Sequence, residues 1–86
     1  DTRVLNIIIK AEYEKELINL GYQETKKTLL PVRDLDNYLG YYKKEGKVLI
    51  HILHSCPDRD IFDVNPLSFL DDLFININWI DNISII

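Results

Sequence analysis

The segment Tyr38–Ser55 constrains the fold more than any other part of this chain. Two β-rich runs, Tyr38–Lys43 and Lys47–Ser55, are joined only by Lys44-Glu45-Gly46. A joint that short, with a glycine for the turn, predicts an antiparallel hairpin. The second run, "KVLIHILHS", is apolar except for two histidines, so it reads as a core strand with two ionisable rings on it.

The flanking segments supply partners for this ribbon. Arg3–Lys10 carries Val4, Leu5, Ile7, Ile8 and Ile9, a near-continuous β-branched run that predicts a strand buried on both faces. Ala11–Leu20 predicts a helix, with Tyr13, Leu17 and Leu20 on one face and Glu12, Glu14, Lys15 and Glu16 on the wet side. Gly21 stands where a left-handed residue closes a helix, with Tyr22 folding back on the last turn. Gln23–Leu30 is a weaker strand ended by Pro31, and Val32–Asn37 a turn. Pro57–Asp63 reads as a polar loop. Asn65-Pro66 opens a second helix, Asn as N-cap and Pro at the first position, running to about Phe74. From Phe74 the alternation Ile75, Ile77, Trp79 with Asn76 and Asn78 predicts a last strand. The expected fold is therefore α+β: a small mixed β-sheet with two helices packed on one face.

At 86 residues the chain is expected to form a single domain, 1–86. It lacks methionine and ends in Ile83-Ser84-Ile85-Ile86, which leads us to expect a piece processed or excised from a longer chain. The net charge of −4 disfavours binding to a phosphate backbone and leaves a basic protein partner open. A single cysteine, Cys56, forms no internal disulfide, and no charged leader with an apolar core is seen, so a cytoplasmic setting is expected. No apolar run approaches the roughly 20 residues of a membrane span.

The chemistry-bearing residues are few. His51 and His54 are three apart, so on a regular strand they point to opposite faces and cannot share a metal. His54 and Cys56 share a face, with Asp58 just beyond, a conceivable zinc grip without paired ligand spacing. The plainer reading makes His51 a half-buried passenger and Cys56 a buried structural thiol, since no oxyanion loop accompanies it. Asp58, Asp60, Asp63, Asp71 and Asp72 lack the glycine and closing glutamate of a calcium loop and read as solvated charge. Gly21, Gly40 and Gly46 are isolated, so no phosphate loop can be drawn. Tyr38, Tyr41 and Tyr42 cluster with Lys43, Lys44 and Lys47. Such a patch stacks bases in some proteins; in an acidic chain it reads as a protein-contact surface, rimmed by Asp58 and Asp60.

The order "INLGYQE", a polar segment, then "YLGYYKKEGKVLIHILH" resembles small nucleotidyltransferase-like proteins of the polymerase-β superfamily. The resemblance implies an Asp-x-Asp strand before a helix ending in Leu-Gly-Tyr or Leu-Gly-Phe, and a later strand carrying a third carboxylate or a His-rich sequence. Here the Asp-x-Asp position reads Asp1-Thr2-Arg3, and Val48-Leu49-Ile50-His51 has no carboxylate. The family's two-metal phosphoryl transfer needs clustered acids. The resemblance therefore implies a degenerate copy, or a fragment of an active nucleotidyltransferase whose acids lie upstream. The expected function is a non-catalytic protein-interaction domain without a cofactor, its oligomeric state open; a small acidic inhibitor of a basic toxin or nuclease is an alternative.

Overall fold

The computed structural model describes residues 3–26, 30–31, 39–54 and 69–85. Strand β1 (Arg3–Ile9) leads through a 3-10 turn, Ala11–Tyr13, into helix α1 (Glu14–Asn19). Two short strands follow, β2 (Gln23–Glu24) and β3 (Leu30–Pro31), then the hairpin β4 (Gly40–Lys44) and β5 (Lys47–His54). One helical turn, α2 (Phe69–Asp72), and a 3-10 turn, Ile77–Trp79, precede β6 (Ile80–Ile85). The sheet order is β2-β4-β5-β1-β6, with β3 paired to the far half of β5. Neighbours β4/β5, β5/β1 and β1/β6 are antiparallel; β2/β4 and β3/β5 are parallel. The sheet is mixed and the fold is α+β.

The hairpin turn is tighter than three residues. Lys44 pairs with Lys47, and Glu45 and Gly46 both take positive φ, 54° and 77°. That pair of left-handed residues is the turn whose twist matches the flanking strands.

The most apolar strands, β1 and β5, lie side by side among the three inner strands, each paired on both edges. One sheet face is dry: Leu5, Ile7 and Ile9 of β1 lie against Val48, Ile50 and Ile52 of β5, capped by Leu17, Tyr22, Leu70, Leu73 and Ile75. The other face carries Val4, Asn6, Ile8, His51 and Leu53, which are only half-buried. Burial of β1 on both faces is thus corrected to one sealed face and one partly covered one. Asn6 explains the difference, since a side-chain amide in the run cannot join a dry core without partners.

Helix α1 ends as its glycine predicts. Gly21 has φ 101°; its N–H bonds to the Ile18 carbonyl at 3.0 Å and the Tyr22 N–H to the Leu17 carbonyl at 3.0 Å. This double closure brings Tyr22 back onto Leu17, both buried. Leu20, expected to face inward with Leu17, is 39% exposed because it is the cap residue where the chain turns away.

The C-terminal segment departs furthest from expectation. Of the second helix, α2 is the part that falls among the described residues. The alternation from Ile75 to Trp79 is no strand. Asn76 caps a 3-10 turn, its Oδ1 accepting from the Asn78 N–H at 2.8 Å, and pairing begins only at Ile80. Asparagine bonds its own backbone readily and so favours caps over strands. The pairing of β6 with β1 then slips by one residue: Ile9 faces Ile80, but Ile8 faces Asn82. Asp81 is the extra residue of a β-bulge. It lets Ile80, Ile83 and Ile85 all pack on the core side, although their spacing of three and two breaks a strict alternation. The strand expected over Gln23–Leu30 is likewise two short pieces, and Pro31, read as its terminator, pairs with Leu53; at a sheet margin its missing N–H costs no ladder bond.

Candidate functional site

Adjacent residues of a strand point to opposite faces, and β4 divides its tyrosines accordingly. Tyr41 turns to the helix side and is 3% exposed. Its hydroxyl donates to Glu14 Oε2 at 2.6 Å, while Lys43 Nζ lies 3.3 Å from Glu14 Oε1. The Tyr41 hydrogen bond is the main reason the Glu14 carboxyl sits below its ordinary range. Burial, and then the same bond to a carboxylate, push the Tyr41 phenol up to about 12. Tyr41 is therefore corrected from contact surface to core, and Glu14 from wet-side charge to the anchor between α1 and β4.

Tyr42 faces the half-buried side. Its hydroxyl is 3.2 Å from both ring nitrogens of His51, Nδ1 and Nε2, and the rings meet edge to face at 5.1 Å. Burial first, then the Lys44 charge, hold the His51 imidazole below its usual pKa, so it is neutral at pH 7. His51 pairs across to Asn6, and Asn6 to Ser84, so one polar row crosses three strands. The Asn6 Oδ1 in this row is buried without a hydrogen-bond partner.

The β1–β5 ladder runs unbroken from Val48 to His54, so positions 51 and 54 fall on opposite phases of the pleat. Among the described residues, no three histidine, cysteine or acidic side chains gather in metal-binding geometry. Cys56, Asp58, Asp60 and Tyr38 lie outside the described residues, as do Asp1, Asp63 and the Asn65-Pro66 helix start. An open depression at the β2–β4 margin is lined by Glu24, Thr25, Lys26, Tyr42 and Lys43, a lining with charges of both signs. No described helix is long and apolar enough to cross a membrane.

A surface that sequence reasoning missed lies after α2. The Phe74 N–H bonds to the Asp71 carbonyl at 3.1 Å and the Ile75 N–H to the Leu70 carbonyl at 2.9 Å. This is the same double closure that ends α1, with Leu70 and Ile75 as its buried apolar pair. Its left-handed position, glycine in α1, is here phenylalanine at φ 61°. The phenyl ring is 61% exposed, and Ile77 beyond it is 57% exposed. The Tyr22 hydroxyl donates to the Leu73 carbonyl at 2.5 Å and ties the two closures together. Behind them Tyr13 stacks on Trp79, ring centroids 6.0 Å apart. The available signal was the five-residue spacing of Leu70 and Ile75 with no glycine between.

The chain matches no protein-family model, no curated protein and no solved structure at a significant level.

Proposed function

We propose that this chain is a non-catalytic protein-interaction domain that works in the cytoplasm, with Phe74 and Ile77 at the centre of its contact surface. The observation that carries the reading is Phe74 itself. A bulky residue in the left-handed region strains the backbone by about 1–2 kcal/mol. Here that strain places a large apolar side chain in water rather than in the core. Exposed aromatic rings of this kind are the usual anchors of protein interfaces.

The absence of clustered acids in the sequence of β5 supports reading the nucleotidyltransferase resemblance as a degenerate one. Glu14, a carboxylate beside the sheet, is already engaged by Tyr41 and Lys43. In the same reading α2 is the end of the second of two helices on one sheet face, since Leu70 shares a core with Leu17.

The test is a double variant, Phe74→Ser with Ile77→Ser, whose fold is checked by its amide NMR spectrum. Affinity capture from the source cell, quantified against wild type, should lose a partner that then binds the purified wild-type domain and not the variant. A reconstituted partner that binds both proteins equally would defeat the proposal.

A further inference from the structure

We infer that the outer edge of β6 pairs with the same edge of a second copy of this chain, antiparallel and two-fold, with Ser84 on the axis. The pairing does not depend on the Phe74 surface.

Among the described residues β6 has one neighbour, β1, so its other margin is a sheet edge. The ladder fixes which backbone groups face that edge. The Lys10 N–H donates to the Trp79 carbonyl at 2.9 Å, so Lys10, Ile8 and Asn6 turn their backbone groups towards β6. Asn82 and Ser84, opposite Ile8 and Asn6, return those bonds. Backbone direction alternates along a strand, so Ile83 and Ile85 point their N–H and C=O groups away from β1. These are strong donors and acceptors that a second strand would pair.

The two margins of the sheet are not alike. On the far side β2 is only two residues long, and β4 beyond its pairing with β2 carries the exposed Lys43 and Lys44. Short strands and lysines are the usual guards against edge pairing. On β6 the bulge and the charge both fall at Asp81, and Asn82–Ile85 keeps a regular register with no charge and no proline.

The occupant follows from the spacing of the outward groups. Ile83 and Ile85 are two apart, so a two-fold axis at Ser84 sets Ile83 of each copy opposite Ile85 of the other. Each such pair exchanges both of its backbone hydrogen bonds, and all the outward groups of Ile83 and Ile85 are satisfied at once. Both side chains are half-buried against the core, and each would gain the other as a neighbour on the same face. Ser84, exposed in the single chain, would meet its own copy in a close, non-hydrogen-bonded pair, and Asp81 stays outside the Ile83–Ile85 block. An axis at Ile83 would instead set Asp81 against Ile85.

The test uses the intact chain in sedimentation equilibrium from about 10 μM to about 1 mM. The wild type should form a dimer, and amide hydrogen exchange at Ile83 and Ile85 should slow as concentration rises, while Asn82 and Ser84 are protected at every concentration. Ser84→Lys and Ser84→Glu each place like charges on the axis, and each should weaken the dimer at least about tenfold. Their amide spectra should show β1 unchanged, since the Ser84 side chain is exposed. An equimolar mixture of the two variants should dimerise again, because the axis brings position 84 onto itself.

A wild type that stays monomeric at about 1 mM would overturn the pairing. So would a dimer that Ser84→Lys leaves intact, or a mixture that associates no better than either variant alone. A dimer lost on Phe74→Ser with Ile77→Ser but indifferent to Ser84 would move the second copy from the edge to the apolar surface and overturn it as well.

Discussion

The strain at Phe74 can be measured without knowing any partner. Replacing it by glycine and by alanine removes the phenyl ring in both cases, so the lost contacts cancel when the two variants are compared. What remains is the backbone. At φ 61° an alanine Cβ crowds its own carbonyl and glycine does not. Glycine has the more flexible unfolded chain, which offsets part of that advantage. The net expectation is that Phe74→Gly is more stable than Phe74→Ala by about 1 kcal/mol, or about 4–8 °C in melting temperature for a domain of this size. An exposed helical position provides the control. At Lys15 in α1 the alanine variant should be the more stable, by about 0.5–1 kcal/mol, because glycine there has only its entropic cost. Urea unfolding of the four variants reads both differences, with equal slopes showing that the denatured states are alike. The reversal of sign between the two sites is the prediction. If alanine equals or exceeds glycine at position 74, that residue is not left-handed in solution, and no backbone strain is being held to display the ring.

The other predictions concern the contacts that fix the surface and the hairpin. Gly21→Ala should destabilise by about 1–2 kcal/mol from backbone strain alone, because an added Cβ meets no atom within 4 Å; a cost near zero in chemical denaturation would contradict the left-handed closure. Tyr22→Phe should cost about 1–3 kcal/mol in the same assay, since it leaves the buried Leu73 carbonyl without its donor. Glu14 has a lowered folded pKa, so its stabilisation is present above about pH 4.5 and is lost as pH falls through the folded value; Glu14→Gln should flatten that acid limb of the unfolding free energy. His51 is lowered as well, so stability should decline earlier, as pH falls below 6.5, and His51→Gln should remove only that upper part of the curve.

Local signals in this sequence were read correctly where one residue type determines one backbone state. Gly46 placed the hairpin turn and Gly21 the helix end, because both need positive φ. The β-branched run of β1 found its strand to within a residue. The errors came where tertiary pairing overrode a local pattern. The isoleucines of β6 break strict alternation, and only the bulge at Asp81 reconciles them, so the sequence pattern favours a strand at Ile75–Trp79, where alternation is cleaner. Nothing local marks a bulge; it exists because Ile80 must face Ile9 while Ile83 must face Ile7. The asparagines of that misread stretch did carry a usable warning, since a residue so given to capping is a poor strand alternate.

The site was harder to read than the fold, for a reason that the tyrosines make plain. Treating Tyr41 and Tyr42 as one patch weighed composition and ignored direction. The alternation that separated His51 from His54 separates these neighbours as well, and one of the two had to enter the core. It is Tyr41 because its face of the sheet is the one α1 covers, and Glu14 is there to receive its hydroxyl. Phe74 shows the converse. A phenylalanine in an apolar stretch reads as core, and no spacing rule says otherwise. Its exposure follows from the closure around it: Leu70 and Ile75 must both go inward, so the residue between Leu73 and Ile75 is turned outward whatever its chemistry. Glycine would meet that geometry without strain, as Gly21 does in α1. On the proposed reading, that strain is held to display the Phe74 ring, which is 61% exposed, to a partner.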